Sequence, residues 1–158
     1  MRIGFGYDIH PLVEGRRLIL GGVEIPSAGG LQGHSDADVL LHALCDALLG
    51  ALGEGDIGRH FPDSDPQYRG ISSLALLKRV AVMLAASPWT VHNIDSTVVL
   101  ERPRIGPYVP QMAERIARIL DISPRQVNIK ATTAEGLGFA GEGRGAEAYA
   151  CVLLGARG

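Results

Sequence analysis

The chain has 158 residues, of which 46% are hydrophobic and 20% are charged, and its formal net charge is −2. These values are typical of one soluble globular domain and exclude a disordered chain. There is no basic field for nucleic acid, and no apolar run approaches the roughly 18 residues of a membrane span, so we expect neither partner. The two cysteines, Cys45 and Cys151, fit a reducing compartment, and we expect a cytoplasmic protein.

Hydrophobic periodicity and turn residues divide the chain into strands, helices and loops. In its first half the predicted elements are a strand at Met1–Ile9, a hairpin within Arg17–Ile25, a Gly/Ser loop at Pro26–Gly33, a helix from Ser35 to Gly53 and a polar loop at Asp56–Gly70. In its second half they are a helix at Ser72–Ala86, a strand at Thr90–Leu100, a helix at Pro107–Leu120, a strand at Val127–Thr133, a Gly-rich loop at Gly136–Gly145 and a strand at Ala146–Leu154. This order predicts a single α+β domain, a mixed β-sheet with helices packed on one face and ferredoxin-like β-α-β elements.

The first helix has the clearest local signals. Ser35 lies three residues before Asp38, which predicts a capping box at the helix start, and Gly53 predicts its end. Apolar residues at helical spacing predict one buried stripe: Leu40, Leu44, Ala47, Leu48 and Ala51.

Three residues in this half have the chemistry of a metal site. Asp8 and His10 are two apart on the first strand and therefore project from the same side, while His42 lies on the first helix. One carboxylate and two imidazoles form a three-ligand zinc set with a fourth position open for water or a phosphate oxygen. The alternative is that Asp8 and His10 only end a strand and His42 only lies on the helix surface.

Several polar residues could support such a site. Asp38 and Asp46 lie four residues before and after His42, so either could accept its second ring N–H, or the stripe is a solvated helix face. His34 and Ser35 precede a helix N-terminus, which suits a phosphate, although Ser35 is equally well explained as a cap. The Asp-rich loop after Asp56 is compatible with a binding loop or with simple turns, and the Thr-Thr-Ala-Glu run at 132–135 with a site or with a capping box.

Six motifs together resemble one enzyme family, 2-C-methyl-D-erythritol 2,4-cyclodiphosphate synthase. They are Gly4-Phe5-Gly6-Tyr7-Asp8-Ile9-His10, His34-Ser35-Asp36-Ala37-Asp38, Gly55-Asp56-Ile57-Gly58, Phe61-Pro62-Asp63, Lys130-Ala131-Thr132-Thr133 and Leu137-Gly138-Phe139. The similarity covers essentially the whole chain. It implies cyclisation of 4-diphosphocytidyl-2-C-methyl-D-erythritol 2-phosphate with release of CMP, in a homotrimer whose active sites lie between subunits.

The resemblance also implies roles for individual residues. Asp8, His10 and His42 would bind Zn²⁺, Glu135 would contact a second divalent ion, Mg²⁺ or Mn²⁺, and His34 and Thr133 would stabilise the transition state. The substrate-binding residues implied around the zinc side are Asp8, Ile9, His10, His34, Ser35, Asp56, Ile57, Gly58, Phe61, Pro62, Asp63, Ser64 and Asp65. Those implied around the cytidine side are Pro103, Arg104, Ile105, Ala131, Thr132, Thr133, Ala134, Glu135 and Phe139.

The chain departs from the family pattern at a few positions. Ala37 stands where the family commonly has Gly, and Ser64 where it often has Thr. Glu142 and Arg144 reverse an Arg-x-Glu order that the resemblance associates with phosphate binding near the trimer axis. Two other functions also fit the residues: a zinc-dependent phosphoester hydrolase that uses the same three ligands with water as nucleophile, and a non-catalytic, metal-stabilised trimeric binding module.

Overall fold

A computed structural model describes residues 1–62 and 64–158. The strands in these residues are β1 (Arg2–Glu14), β2 (Leu18–Leu20), β3 (Val23–Ile25), β4 (Gly29–Leu31), β5 (Trp89–Val99), β6 (Val127–Thr132) and β7 (Gly145–Ala156). The helices are α1 (Val39–Leu52), α2 (Ile57–His60), α3 (Ser73–Ala85), α4 (Val109–Leu120) and α5 (Gly138–Gly141). Single 3-10 turns lie at Pro66–Tyr68, Gly106–Tyr108 and Pro124–Gln126.

Five strands form one mixed sheet in the order β4-β1-β7-β5-β6. Neighbours pair antiparallel except β5 and β6, which are parallel and are joined through α4, because a parallel pair needs a crossover connection. Strands β2 and β3 form the predicted hairpin. The mixed sheet and the α+β class agree with the sequence prediction.

Helix α1 is the centre of the core. It packs on β1 and β7 on one side and on α3 on the other, so eleven of its fourteen residues are buried. The sequence predicted one buried stripe, but a helix covered from two sides is apolar nearly all round. It ends as predicted at Gly53, whose left-handed backbone (φ 81°) lets its N–H return to the carbonyls of Leu49 and Gly50.

The two faces of the sheet differ. Helices α1, α3 and α4 pack against one face. The opposite face, called here the open face, carries exposed apolar side chains from β1 and β7: Ile3, Phe5, Tyr7, Ile9 and Tyr149. The Tyr7 and Tyr149 rings pack with centroids 5.1 Å apart. Across residues 1–62 and 64–158, no helix combines the length and apolarity that crossing a membrane requires.

Some predicted boundaries were wrong. Strand β1 continues past Ile9 to Glu14, and its end pairs with β4 inside the predicted Gly/Ser loop. Two one-turn helices, α2 and α5, lie in segments predicted as loops. Helix α1 begins after Asp38 instead of Ser35, because Ala37 has a left-handed backbone (φ 56°) that no helix can include. Such a φ favours glycine, the residue that the resemblance leads us to expect at this position.

Candidate active site

Asp8, His10 and His42 converge at one point between β1 and α1. The Asp8 Oδ2 atom lies 2.9 Å from His10 Nε2 and 3.0 Å from His42 Nδ1, and the two ring nitrogens are 3.1 Å apart. The other nitrogen of His10, Nδ1, lies 2.9 Å from the Gln32 carbonyl oxygen and can donate to it. Ligating histidines typically use their second nitrogen in this way. The three atoms are therefore arranged as a candidate metal-binding set.

The electrostatics of this cluster are strongly coupled. Burial alone would raise the pKa of Asp8, but hydrogen bonds with His10 and His42 outweigh it and lower that pKa below its ordinary value. Burial would likewise lower the pKa of His42, and the hydrogen bond and charge of Asp8 raise it instead. The carboxylate thus favours positive charge at this point of the molecule.

The second ring nitrogen of His42 is held by two serines. Its Nε2 atom lies 2.9 Å from the Ser73 hydroxyl and 3.0 Å from the Ser35 hydroxyl. The sequence predicted Asp38 or Asp46 as the partner of this nitrogen, and in the structure neither carboxylate is hydrogen-bonded to it. Ser73, the first residue of α3, was not identified from the sequence because no local pattern links it to His42.

Asp38 and Asp46 instead hold backbone. The Asp38 carboxylate caps α1 by accepting from Leu41 N–H, and it also accepts from the N–H groups of Gly21 and Gly22 in the hairpin turn. Burial raises its pKa to about 6, with these backbone bonds opposing the shift. The Asp46 carboxylate accepts from Ile57 N–H at 2.8 Å, which fixes the start of α2.

A cavity of about 360 Å³ opens beside the three-residue cluster. Its walls include several of the predicted binding residues: His34, Ser35, Ile57, Gly58 and Phe61. Tyr68, Ile71 and Leu76 also line it and were not predicted. Ile9 does not, because strand alternation points its side chain to the open face. Asp63 lies outside the described residues.

The rest of the predicted loop has structural contacts. Asp56 caps α2 by accepting from Arg59 N–H, and Asp65 caps the Pro66–Tyr68 turn by accepting from Gln67 N–H. Neither these two residues nor Pro62 and Ser64 line the cavity in the described structure. The loop therefore borders the cavity mainly through α2 and Phe61.

A second cavity, of about 420 Å³, lies at the other edge of the sheet. Six of the nine residues implied around the cytidine side line it: Pro103, Arg104, Ile105, Ala131, Thr132 and Thr133. Leu100, Glu101, Gly106 and Pro107 complete its walls and were not predicted.

The remaining predicted residues do not line this second cavity. Glu135 has a left-handed backbone (φ 52°), and its carboxylate accepts from the Thr133 hydroxyl at 2.9 Å. Ala134 N–H donates to the Glu101 carboxylate, and Phe139 lies in α5. Glu142 and Arg144 form an exposed ion pair of 2.7 Å with each other. Glu135 is not part of the Asp8–His10–His42 set.

The strand register gives the distance between two half-sites: the zinc half, which contains Asp8, His10 and His42, and the cytidine half, which is the second cavity. Asp8 pairs with Ala148, Ala148 with Val98, and Val98 with Ala131, so Asp8 and Ala131 lie in one cross-strand row. Three interstrand steps of about 4.8 Å place their backbones about 14 Å apart. Ala148 and Val98 between them are fully buried on the helix-covered face. Among the described residues, none lines both cavities.

Comparisons with known proteins agree on one family. The YgbB family model matches residues 1–155. The 2-C-methyl-D-erythritol 2,4-cyclodiphosphate synthase of Syntrophomonas wolfei is 63% identical over 154 residues, covering 98% of each chain. A CDP-bound structure of a synthase of the same name is 38% identical, with a TM-score of 0.89 over 98% of this chain and 100% of the other. The Plasmodium falciparum IspF–CDP complex is 33% identical, with a TM-score of 0.87 over 99% and 97%.

Proposed function

The chain belongs to the YgbB family, and on this basis we propose that it converts 4-diphosphocytidyl-2-C-methyl-D-erythritol 2-phosphate into 2-C-methyl-D-erythritol 2,4-cyclodiphosphate and CMP. This is a lyase reaction of non-mevalonate isoprenoid biosynthesis. The observation that carries the proposal is the convergence of Asp8, His10 and His42 at the mouth of a cavity, in a chain 63% identical to a synthase of that name.

The reaction needs no nucleophile from the protein. An oxygen of the substrate's 2-phosphate attacks the β-phosphorus, a new P–O bond closes the ring, and the bond from that phosphorus to the bridging oxygen breaks. CMP leaves with the electron pair of that bond. The second pKa of a phosphate monoester is about 6, so the nucleophile is largely ionised at neutral pH. The enzyme must supply position and charge neutralisation, which metal ligands and hydroxyls provide.

The cluster fits a zinc ion. Zinc–nitrogen and zinc–oxygen bonds of about 2 Å in a tetrahedron separate neighbouring ligand atoms by about 3.3 Å. The three donor atoms of Asp8, His10 and His42 are 2.9 to 3.1 Å apart, close to that spacing. A zinc ion held by these three residues would supply positive charge to neutralise the phosphates of the substrate. We assign a second divalent ion, Mg²⁺ or Mn²⁺, to Glu135, whose carboxylate is exposed next to Thr133.

Each of the two cavities binds a different part of the substrate. The zinc-side cavity presents the apolar walls of Ile57 and Phe61 to the methylerythritol carbons, and His34 and Ser35 lie beside the phosphates. The second cavity, with Arg104 and Thr132, receives the cytidine. Thr133 borders this cavity beside Glu135, where a hydroxyl is positioned to stabilise the transferring phosphoryl group.

We propose that the active site is shared between two chains, because no described residue lines both cavities. The two half-sites are about 14 Å apart across the sheet, and the residues between them, Ala148 and Val98, are buried under helices. Along this row the sheet offers no open path between the halves, which supports a site in which a neighbouring copy brings its cytidine half to the zinc half. The exposed apolar side chains of the open face provide a surface for such association. We assign a homotrimer, in which each interface repeats the same shared site.

A direct assay separates the candidate functions. The purified chain, with its metal content measured, is incubated with the cytidine substrate and Mg²⁺, and the products are identified by phosphorus NMR. Cyclic diphosphate plus CMP supports the synthase. Linear phosphates indicate a hydrolase, and unchanged substrate with bound zinc indicates a binding module.

The free thiols Cys45 and Cys151 are consistent with the reducing cytoplasm where we place the enzyme.

A further inference from the structure

His42 is held at both ring nitrogens, and the two sides differ in their chemistry. Its Nδ1 atom faces Asp8 and His10, whereas Nε2 faces the hydroxyls of Ser73 and Ser35 at 2.9 and 3.0 Å. A neutral imidazole carries its proton on only one of the two nitrogens. A metal bound at Nδ1 requires that proton to be on Nε2.

The direction of the hydrogen bonds on the Nε2 side is set by Asp36. The Ser73 hydroxyl donates to Asp36 Oδ1, and the Ser73 backbone N–H donates to Asp36 Oδ2 at 3.0 Å. A carboxylate only accepts, so the hydroxyl proton of Ser73 points to Asp36. Its oxygen lone pair then faces His42 and accepts from Nε2–H. Ser35 does not fix this direction, since its hydroxyl can either donate to His42 or accept from it.

The fold holds this chain of groups in place. Ser73 is fully buried and is the first residue of α3, so Asp36 binds the N-terminus of a thirteen-residue helix, where a negative charge is stabilised. Asp36 also accepts from Asp38 N–H at 3.4 Å. Asp36 therefore connects the start of α3 to the turn before α1, and Ser73 connects both to His42.

We propose that Asp36 and Ser73 are positioning residues that hold His42 in the Nε2–H tautomer, so that its Nδ1 lone pair is available to the metal. This inference rests on the proposed metal site. Asp36 is not hydrogen-bonded to the imidazole and acts through the hydroxyl of Ser73. Its substitution by Asn supplies an NH₂ donor to Ser73, which allows the Ser73 hydroxyl to turn and donate to Nε2. The imidazole proton then moves to Nδ1, where it competes with the metal.

The first test is zinc affinity, measured on metal-free protein by competition with a chromophoric chelator. We expect Ser73→Ala and Asp36→Asn each to weaken zinc binding by about 10- to 100-fold. The matched control is Asp95→Asn, which changes an exposed carboxylate on β5 that binds Asn128 and Lys130, and it should leave the affinity unchanged. If the unsubstituted chain binds zinc and both folded variants bind it equally well, the positioning role is wrong. If the unsubstituted chain binds no zinc, the metal site itself is wrong.

A second test measures the tautomer of His42 directly. In the metal-free chain at alkaline pH, a long-range proton–nitrogen NMR spectrum of the imidazoles reports which nitrogen of His42 is protonated. Because the Asp8 carboxylate attracts the proton to Nδ1 in every metal-free form, we expect a larger fraction of the Nε2–H tautomer in the unsubstituted chain than in Asp36→Asn. Equal fractions of the Nε2–H tautomer in the two proteins would overturn the proposal whatever the zinc titrations give.

Discussion

Gly6 of β1 and Ala43 of α1 meet backbone to backbone: a Cβ atom at Gly6 would lie 1.9 Å from the Ala43 carbonyl oxygen. Gly4 approaches Ala47 in the same way, with a corresponding distance of 1.7 Å. Asp8 follows Gly6 by two residues, and His42 directly precedes Ala43. The absence of side chains at these glycines therefore sets how closely the strand bearing Asp8 approaches the helix bearing His42.

Gly6→Ala tests this dependence. The added methyl group has to push α1 away from β1, so we expect the free energy of unfolding to fall by about 1 to 3 kcal/mol or more, together with weaker zinc binding. Urea unfolding of the metal-free proteins measures the first effect. The control is Gly50→Ala in the same helix, where a Cβ meets open space and where we expect a gain of about 0.5 to 1 kcal/mol. Equal stability of the two variants would contradict the packing argument.

Zinc affinity should depend on pH through His42. A protonated imidazole cannot bind zinc, and contact with Asp8 raises the pKa of His42 above its ordinary value of 6.5. Affinity should therefore be lost progressively as the pH falls through this raised pKa, at a higher pH than for an unperturbed histidine. Asp8 has a lowered pKa and stays ionised over that range. A chelator-competition titration at several pH values measures the effect, and a flat profile down to pH of about 5 would rule it out.

Charge on the open face should dissociate the assembly. Phe5 is 64% exposed in the single chain, and we expect Phe5→Glu to yield monomers because a carboxylate would be buried between copies. Multi-angle light scattering gives the mass in solution. Val82 on α3 is 69% exposed and away from this face, so Val82→Glu should remain trimeric. A trimeric Phe5→Glu protein would remove the open face from the interface.

Mixing two inactive variants should restore activity. His10→Ala removes a zinc ligand, and Thr133→Ala changes the cytidine half, so each alone should be nearly inactive. After dissociation and reassembly of equal amounts, about one quarter of the sites, one half times one half, should combine two intact halves. Synthase activity should recover toward a quarter of that of the unsubstituted enzyme. Mixed trimers as inactive as their parents would mean that each site lies within one chain.

Local sequence was sufficient for much of the framework. Strand alternation put Asp8 and His10 on one side of β1, and Gly53 marked the end of α1. The hairpin within Arg17–Ile25 was also predicted correctly. These features depend on residues that are close together in the chain. The periodicity of helices and strands and the conformational preferences of turn residues determine their geometry.

The partners of individual side chains depended on tertiary packing. Asp38 and Asp46 are both at helical spacing from His42, but neither binds it. Asp38 binds the hairpin turn and Asp46 binds α2, while the Ser73 hydroxyl is hydrogen-bonded to His42. Helical periodicity gives the face on which a residue lies, but not which element packs against that face. The N-terminus of α3 reaches His42 because β1, α1 and α3 pack in layers. The separation of Asp8 from Ala131 likewise follows from strand order, which long-range hydrogen bonding decides.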